Sequence, residues 1–305
     1  MGNEVEAYGF SIKKAVLLQQ NFFEMNGIQL QEMAMQVRRD IVRMVHSSKS
    51  GHPGGSLGSA DILVALYFAI MNHGDGHFSM EGNREDMFFL SNGHICPAWY
   101  SVLARSGYFP VEELNTLRKL GSRLQGHPTT QEGLPGVRVA SGSLGQGISV
   151  AIGAALAKKM DNDPHIVYCL TGDGELQEGQ IWEAATFAPA KKVDNLIVIT
   201  DYNRKQIEGP LEQVMDLKDL SDKWRAFGWE VLEMQGNNMD EVIRVLQQAK
   251  ALSGKGKPVY ILAKTEMGFG VDFMMGTHKW HGIAPDDHQL QLALSQLPVT
   301  SLSDY

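Results

Sequence analysis

A chain of 305 residues with 43% hydrophobic content is long enough to bury a substantial interior as one large domain or two, and no apolar run approaches the ~18 residues needed to cross a bilayer. Its formal charge of −8, from 35 acids scattered among 27 bases, excludes binding a nucleic-acid backbone as the main task. Cys96 and Cys169 are far apart and form no CxxC pair, which excludes a disulfide framework or a zinc site and makes a reducing cytoplasm the expected setting.

The opening "MGNEVEAYGF" lacks the basic and apolar regions of a signal peptide, and Glu6 stands where myristoylation needs Ser or Thr. Residues 11–46 read as helical with a break at Asn26 and Gly27, after which Leu30, Met33, Val37, Ile41, Met44 and Val45 recur at helical steps. The Gly, Ser and Pro loop "SSKSGHPGGSLG" ends that helix, and "SADILVALYFAIM" resumes helical spacing with Ser59 or Asp61 as cap. Short apolar runs then alternate with helical stretches. Strands are expected at 87–91, 165–171, 195–200, 229–234 and 259–264, and helices at 145–160, 175–190 and 239–252. Strands separated by helices imply βαβ units, hence an α/β fold with a doubly wound parallel sheet and helices on both faces.

In such a sheet a right-handed crossover lays the strands ending "YCLT" and "IVIT" side by side with their carboxyl ends on one edge. Asp173 in "GDGELQEG" and Asn203 in "DYNRKQIEG" follow those ends, so the crossover brings them within side-chain reach at the edge where open sheets bind ligands. A carboxylate and a carboxamide oxygen suit a hard cation, Mg²⁺ or Ca²⁺, and not a soft metal. Mg²⁺ completes its shell with phosphate oxygens and water, so this sparse pair predicts a diphosphate-bearing ligand. Gly172 and Gly174 allow close backbone approach, and a helix start near Glu175 supplies free N–H groups.

The loop "SGSLGQG" at 141–147 precedes an apolar helix and offers backbone amides to an anion, but it is not GxGxxG after a strand, which disfavours a Rossmann dinucleotide site. Histidines sit in loop settings at His52, His94, His127, His278 and His281, where an imidazole with ordinary pKa near ~6.5 suits proton transfer. Their spacing does not fit HExxH metal chemistry. His46, His73, His77, His165 and His288 carry no functional expectation.

These segments resemble the transketolases, which depend on thiamine diphosphate. "KSGHPGGSLGSADI", "DMFFLSNGH", "GHP", "SGSLGQG", "GDGELQEG" and "GTHKWHG" follow the order of that family over about residues 35–290. The resemblance implies that Asp173 and Asn203 bind Mg²⁺ through their side chains and Lys205 through its carbonyl. It implies that Gly174 and Glu175 approach the diphosphate through their backbone, that His94 contacts it, that Gly142, Ser143 and Leu144 line the thiamine pocket, and that Ile207 packs near the cofactor. His52, His127 and His281 would contact substrate oxygens and move protons, His281 also lying near the diphosphate. His281 is preferred to His278 because it precedes a glycine as in the family's motif. Glu178 matches an acidic position at the subunit interface, or is a solvated helix acid.

In the family, the glutamate that acts on the aminopyrimidine belongs to a following domain for which this sequence has no counterpart. The implied protein is therefore the diphosphate-binding subunit of a split transketolase: one domain over residues 1–305 with a helical extension at about 1–45. It would be active only with a separately encoded C-terminal subunit, as an α2β2 heterotetramer, and would move a two-carbon ketol unit from a ketose or ketose phosphate to an aldose. The competing readings are the α subunit of a 2-oxoacid dehydrogenase, against which "SGHPGG" and "GTHKWHG" argue, deoxyxylulose-phosphate synthase, which normally holds the missing glutamate domain in one chain, and a noncatalytic binding module of the same fold.

Overall fold

A computed structural model describes residues 25–74 and 76–305; the helical expectation for residues 11–24 lies outside them. The periodic segment forms helix α1, Gly27–Ser48, whose start is fixed reciprocally. Asn26 Oδ1 accepts from Gln29 N at 3.0 Å, and Gln29 Oε1 accepts from Asn26 N at 2.9 Å. Leu30, Met33, Val37, Ile41, Met44 and Val45 are all buried, so α1 is a wall of the core and not an appendage to it. Two short helices follow, α2 at Pro53–Gly58 and α3 at Ala60–Ala65. Ser59 precedes α3 but makes no side-chain capping bond, and Asp61 instead holds Arg38 of α1 in a buried ion pair.

Five parallel strands form the sheet: β1 Met87–Leu90, β2 Val167–Gly172, β3 Leu196–Tyr202, β6 Glu230–Gln235 and β7 Val259–Lys264, in the order β1-β2-β3-β7-β6. β4 and β5, Lys205–Gln206 and Gly209–Pro210, make a separate small antiparallel ribbon. All five strands fall where apolar runs placed them, because both sheet faces are covered and little polar alternation is needed.

Successive strand residues divide between two cores. Phe88, Leu90, Tyr168, Leu170, Ile197 and Ile199 pack with α1, with Cys96–Arg105 (α4) and with a late helix at Met239–Leu252. Met87, Phe89, Val167, Cys169, Leu196 and Val198 pack on the opposite face with α5 (Gly147–Met160) and α6 (Gly179–Ala190). Helices on both faces make the sheet doubly wound. The segment after β2 departs from expectation: a 3-10 turn covers Gly174–Gln177, and α6 begins only at Gly179.

Candidate functional site

Register delivers the site. β2 and β3 pair so that Gly172 faces Asp201, placing Asp173 and Asn203 just beyond the same strand edge. Asp173 Oδ2 accepts from Arg204 N at 2.5 Å and Oδ1 from Gly174 N at 2.8 Å, so the carboxylate of one strand tip grips the loop of the next. Asn203 is held at both ends of its amide. Nδ2 donates to Asp201 Oδ2 at 3.1 Å, and Oδ1 accepts from Lys205 N at 2.9 Å. The Lys205 N–H, which can only donate, fixes which end is oxygen and leaves Oδ1 with a second lone pair to offer.

A cavity of about 360 Å³ opens over this edge, within the usual range for small-molecule sites. Its walls include His52, His94, His127, Gly142, Leu144, Asp173, Gly174, Glu175, Asn203, Lys205, Ile207 and His281, so residues scattered over the sequence converge there. Ser143 does not line it and is exposed, and His278 also stays outside. Glu178 is an exposed residue on the cavity wall and precedes α6 without capping it. Ile207 is 60% exposed, an apolar side chain standing at the rim.

The four histidines meet in one cluster. His52 lies 5.2 Å from His94, 5.7 Å from His281 and 6.2 Å from His127 between ring centroids, and His94 stacks on His281 at 5.0 Å. Close backbone packing makes this possible: a Cβ on Gly54 would stand 2.8 Å from the Trp280 carbonyl, so only glycine lets the His52 loop press against the loop carrying His281. Arg118 ties a third loop in, donating from Nη1 to Ser50 Oγ at 3.0 Å and from Nη2 to the Gly126 carbonyl at 3.1 Å. Burial, then the neighbouring His281, Arg118 and His127, pushes the His52 imidazole down to about 4. Burial likewise holds His94, His127 and His281 below the ordinary histidine value, which favours the neutral form of all four rings at pH 7.

At the strand edge the balance is reversed. Burial, reinforced by Asp201, pushes the Asp173 carboxyl up to about 8, and burial also raises Glu175 and Asp201. Glu175 is a strut. Its carboxylate accepts from Ser91 Oγ, from Gly145 N at 2.8 Å and from Gly172 N at 3.0 Å, joining the ends of β1 and β2 to the glycine loop before α5. From the sequence, a role is expected only for its backbone.

Sequence reasoning also missed Asn92, Asp201, Gln206 and Glu208, which line the cavity. Asp201 and Asn92 had a signal, since each is a polar residue at or just past the end of an apolar strand run. Gln206 and Glu208 had none, because only the β4–β5 ribbon turns them toward the cavity.

The donor set fits a divalent cation and an anion beside it. Asp173, Asn203 and the Lys205 carbonyl would supply hard oxygens. Near them His52 Nδ1, His281 Nδ1, Ser141 Oγ and both amide atoms of Asn92 are buried without a partner, as expected of groups that bond a ligand. Among the described residues no cluster of three or more His, Cys, Asp or Glu could hold a metal. The set here is one carboxylate, one amide and one carbonyl.

Gly142 offers a test of the His127 wall. Its φ is 125°, and an added Cβ would stand 2.7 Å from the His127 ring. Gly142→Ala is expected to cost roughly 1–2 kcal/mol in a thermal or urea melt through backbone strain. By displacing His127 it should lower kcat/KM by up to about 100-fold in steady-state assays.

A family profile described as "Transketolase, thiamine diphosphate binding domain" matches residues 30–300. The chain is 42% identical over 270 residues to the 6-deoxy-6-sulfo-D-fructose transketolase subunit of Clostridium sp. (strain MSTE9), covering 88% of this chain and 96% of that protein. It is 40% identical over 260 residues to the apulose-4-phosphate transketolase subunit of Phocaeicola vulgatus, covering 85% and 90%. Transketolase of Campylobacter jejuni superposes with a TM-score of 0.82 at 35% identity, over 90% of this chain but 44% of that one, so the chain spans less than half of the full-length enzyme. The fold, the strand-edge site and these matches place the chain in the family of transketolase thiamine diphosphate binding domains.

Proposed function

We propose that this protein is the diphosphate-binding subunit of a split transketolase, acting in the cytoplasm with a separate C-terminal subunit in an α2β2 assembly. The observation that carries the reading is the chemistry of the cavity wall. Among the described residues, Asp173, Glu175, Glu178, Asp201 and Glu208 line it against a single cation, Lys205. Ionised, such a wall would repel a bare diphosphate, whereas Mg²⁺ held by Asp173, Asn203 and the Lys205 carbonyl would take the place of the proton that burial keeps on Asp173 and would offset both charges. The division into subunits is supported by relatives that are themselves named subunits and are covered over 96% and 90% of their length.

When bound, thiamine diphosphate supplies the carbanion stabilisation that cleavage of a carbon–carbon bond beside a ketone requires. The chain's own groups do the rest. Gly174 and Glu175 present backbone to the diphosphate, with His94 beside it, while Leu144 and Ile207 give apolar contact to the rings. His52, His127 and His281, favoured in the neutral form at pH 7, face the substrate's hydroxyl groups and accept or return their protons. The transferred group is a two-carbon ketol unit, taken from a ketose, which in the relatives' names carries a phosphate or a sulfo group, and passed to an aldose.

Purified alone, the chain is expected to show no ketol transfer with Mg²⁺ and thiamine diphosphate. Adding a transketolase C-terminal half encoded beside it should restore transfer from such a ketose to an aldose, read by coupled assay or mass spectrometry. Robust transfer by a rigorously partner-free preparation would reject the two-subunit reading.

A further inference from the structure

Asn92 stands just past the end of β1 and opens the 3-10 turn Gly93–Ile95 that carries His94. Asparagine at such a start ordinarily spends its side-chain oxygen on the turn's backbone N–H groups, yet Asn92 makes no capping bond. It is 1% exposed, and neither its Nδ2 nor its Oδ1 has a partner. Other buried amides are better satisfied: Asn203 is bonded at both ends, and Asn195, whose Oδ1 is unpaired, still donates from Nδ2 to the Ala155 carbonyl at 2.9 Å. An amide buried with both ends unpaired is costly and survives where a ligand uses it.

Its position says which ligand atoms. Asn92 lines the cavity together with Gly172, Asp173 and Gly174, and its Nδ2 lies 3.7 Å from where a Gly172 Cβ would stand. It therefore sits against the backbone assigned above to the diphosphate. The protein groups around it are already rich in oxygen acceptors, Asp173, Glu175 and Asp201 among them. The other side-chain amides of that wall, Gln177, Gln206 and Asn203, already donate within the protein, whereas the Asn92 nitrogen keeps its N–H groups for an anion.

We propose that Asn92 is a further cofactor-binding residue, its side-chain N–H donating to a diphosphate oxygen of the ligand held through Asp173 and Asn203. This rests on the function proposed above. The amide adds an anion contact without adding charge, which leaves charge neutralisation to the metal.

The test is calorimetric titration of the full chain, assembled with the partner subunit that restores transfer, against thiamine diphosphate and against inorganic pyrophosphate, each with Mg²⁺. Asn92→Ala is expected to weaken thiamine diphosphate by about tenfold or more, as for loss of a hydrogen bond to a charged group, with pyrophosphate weakened by a similar factor. The near-isosteric Asn92→Asp, which replaces a donor by an acceptor beside Asp173, should weaken both further. Ligand-free melting temperatures should be at or above wild type for Asn92→Ala, because an unpaired buried amide has been removed. Affinity for thiamine diphosphate within twofold of wild type in both variants overturns the proposal, and so does a lowered ligand-free melting temperature in both, which would make the amide a structural group. Failure of the wild-type assembly to bind thiamine diphosphate with Mg²⁺ would instead sink the proposed function itself.

Discussion

Asp173→Ala is expected to weaken Mg²⁺-dependent binding of thiamine diphosphate by more than about 100-fold, since groups that merely orient a metal ligand are already worth ~10–100-fold. Asp173→Asn should lose nearly as much while keeping the shape of the site. The ligand-free protein should respond in the opposite sense. The Asp173 carboxyl has an ordinary value of 3.8 and is pushed up to about 8, by burial first and by Asp201 second, against the opposing bonds from the N–H groups of Arg204 and Gly174. Between those two values the folded chain retains a proton that the unfolded chain has released. This carboxyl's contribution is thus fully present below about pH 4 and is lost as pH rises through about 8. The Asp173→Asn variant has no such slope, so its ligand-free melting temperature should exceed that of wild type at pH 8.5 and approach it at pH 5. Metal must displace the retained proton, so wild-type affinity for Mg²⁺ with thiamine diphosphate should rise with pH up to about 8 and then level. Tight cofactor binding by Asp173→Ala would sink the metal assignment.

That site was legible because its two anchors depend on only one structural fact. Asp173 and Asn203 each follow an apolar run, and once the runs are parallel neighbours their tips coincide, as the Gly172 to Asp201 pairing bears out. The strand order was not legible. β7 lies between β3 and β6, and nothing in the periodicity of "WEVLEM" or "VYILAK" says which is the edge strand. Turn chemistry was read only in part. The stretch 175–190 between two strands reads as one helix, but the Glu175 carboxylate is committed to Ser91, Gly145 and Gly172, and the segment winds as a 3-10 turn before α6. Partners so distant in sequence leave no local trace. Asn92 shows the same limit: its type and strand-end position were visible, whereas its unpaired burial exists only once β1 lies beside β2. Ser143 shows the converse, a residue whose motif placed it in the pocket but whose loop turns it to solvent.

Acidification from pH 7 to 4.5 is expected to destabilise the ligand-free protein, and the four clustered histidines should account for a measurable part of the loss. His52 is pushed down to about 4 by burial, then by His281, Arg118 and His127. His94 is held well below its ordinary value by burial, then by His281, His52 and His127. His127 is lowered by burial and then Arg118, and His281 by burial and His278 against the opposing pull of Glu208. An unfolded chain takes up protons on these rings near pH ~6.5, where the folded cleft still refuses them. The stability they contribute is therefore complete above about pH 6.5 and is lost as pH falls through the depressed folded values. His52→Gln and His94→Gln, which remove a titrating ring, should each lose fewer degrees of melting temperature between pH 7 and pH 4.5 than wild type. The same geometry sets the kinetics. If His52, His127 and His281 work as neutral bases, the acid limb of kcat/KM must lie below pH 6.5, because burial keeps the rings unprotonated until then. Diphosphate bound beside His94 as proposed would bring negative charge to the cluster and should draw ring pKa values upward, so ligand should blunt the acid sensitivity of the melt. An acid limb above pH 6.5, with identical acid sensitivity in wild type and both variants, would mean that the rings are solvated and that the cluster does not hold its histidines neutral.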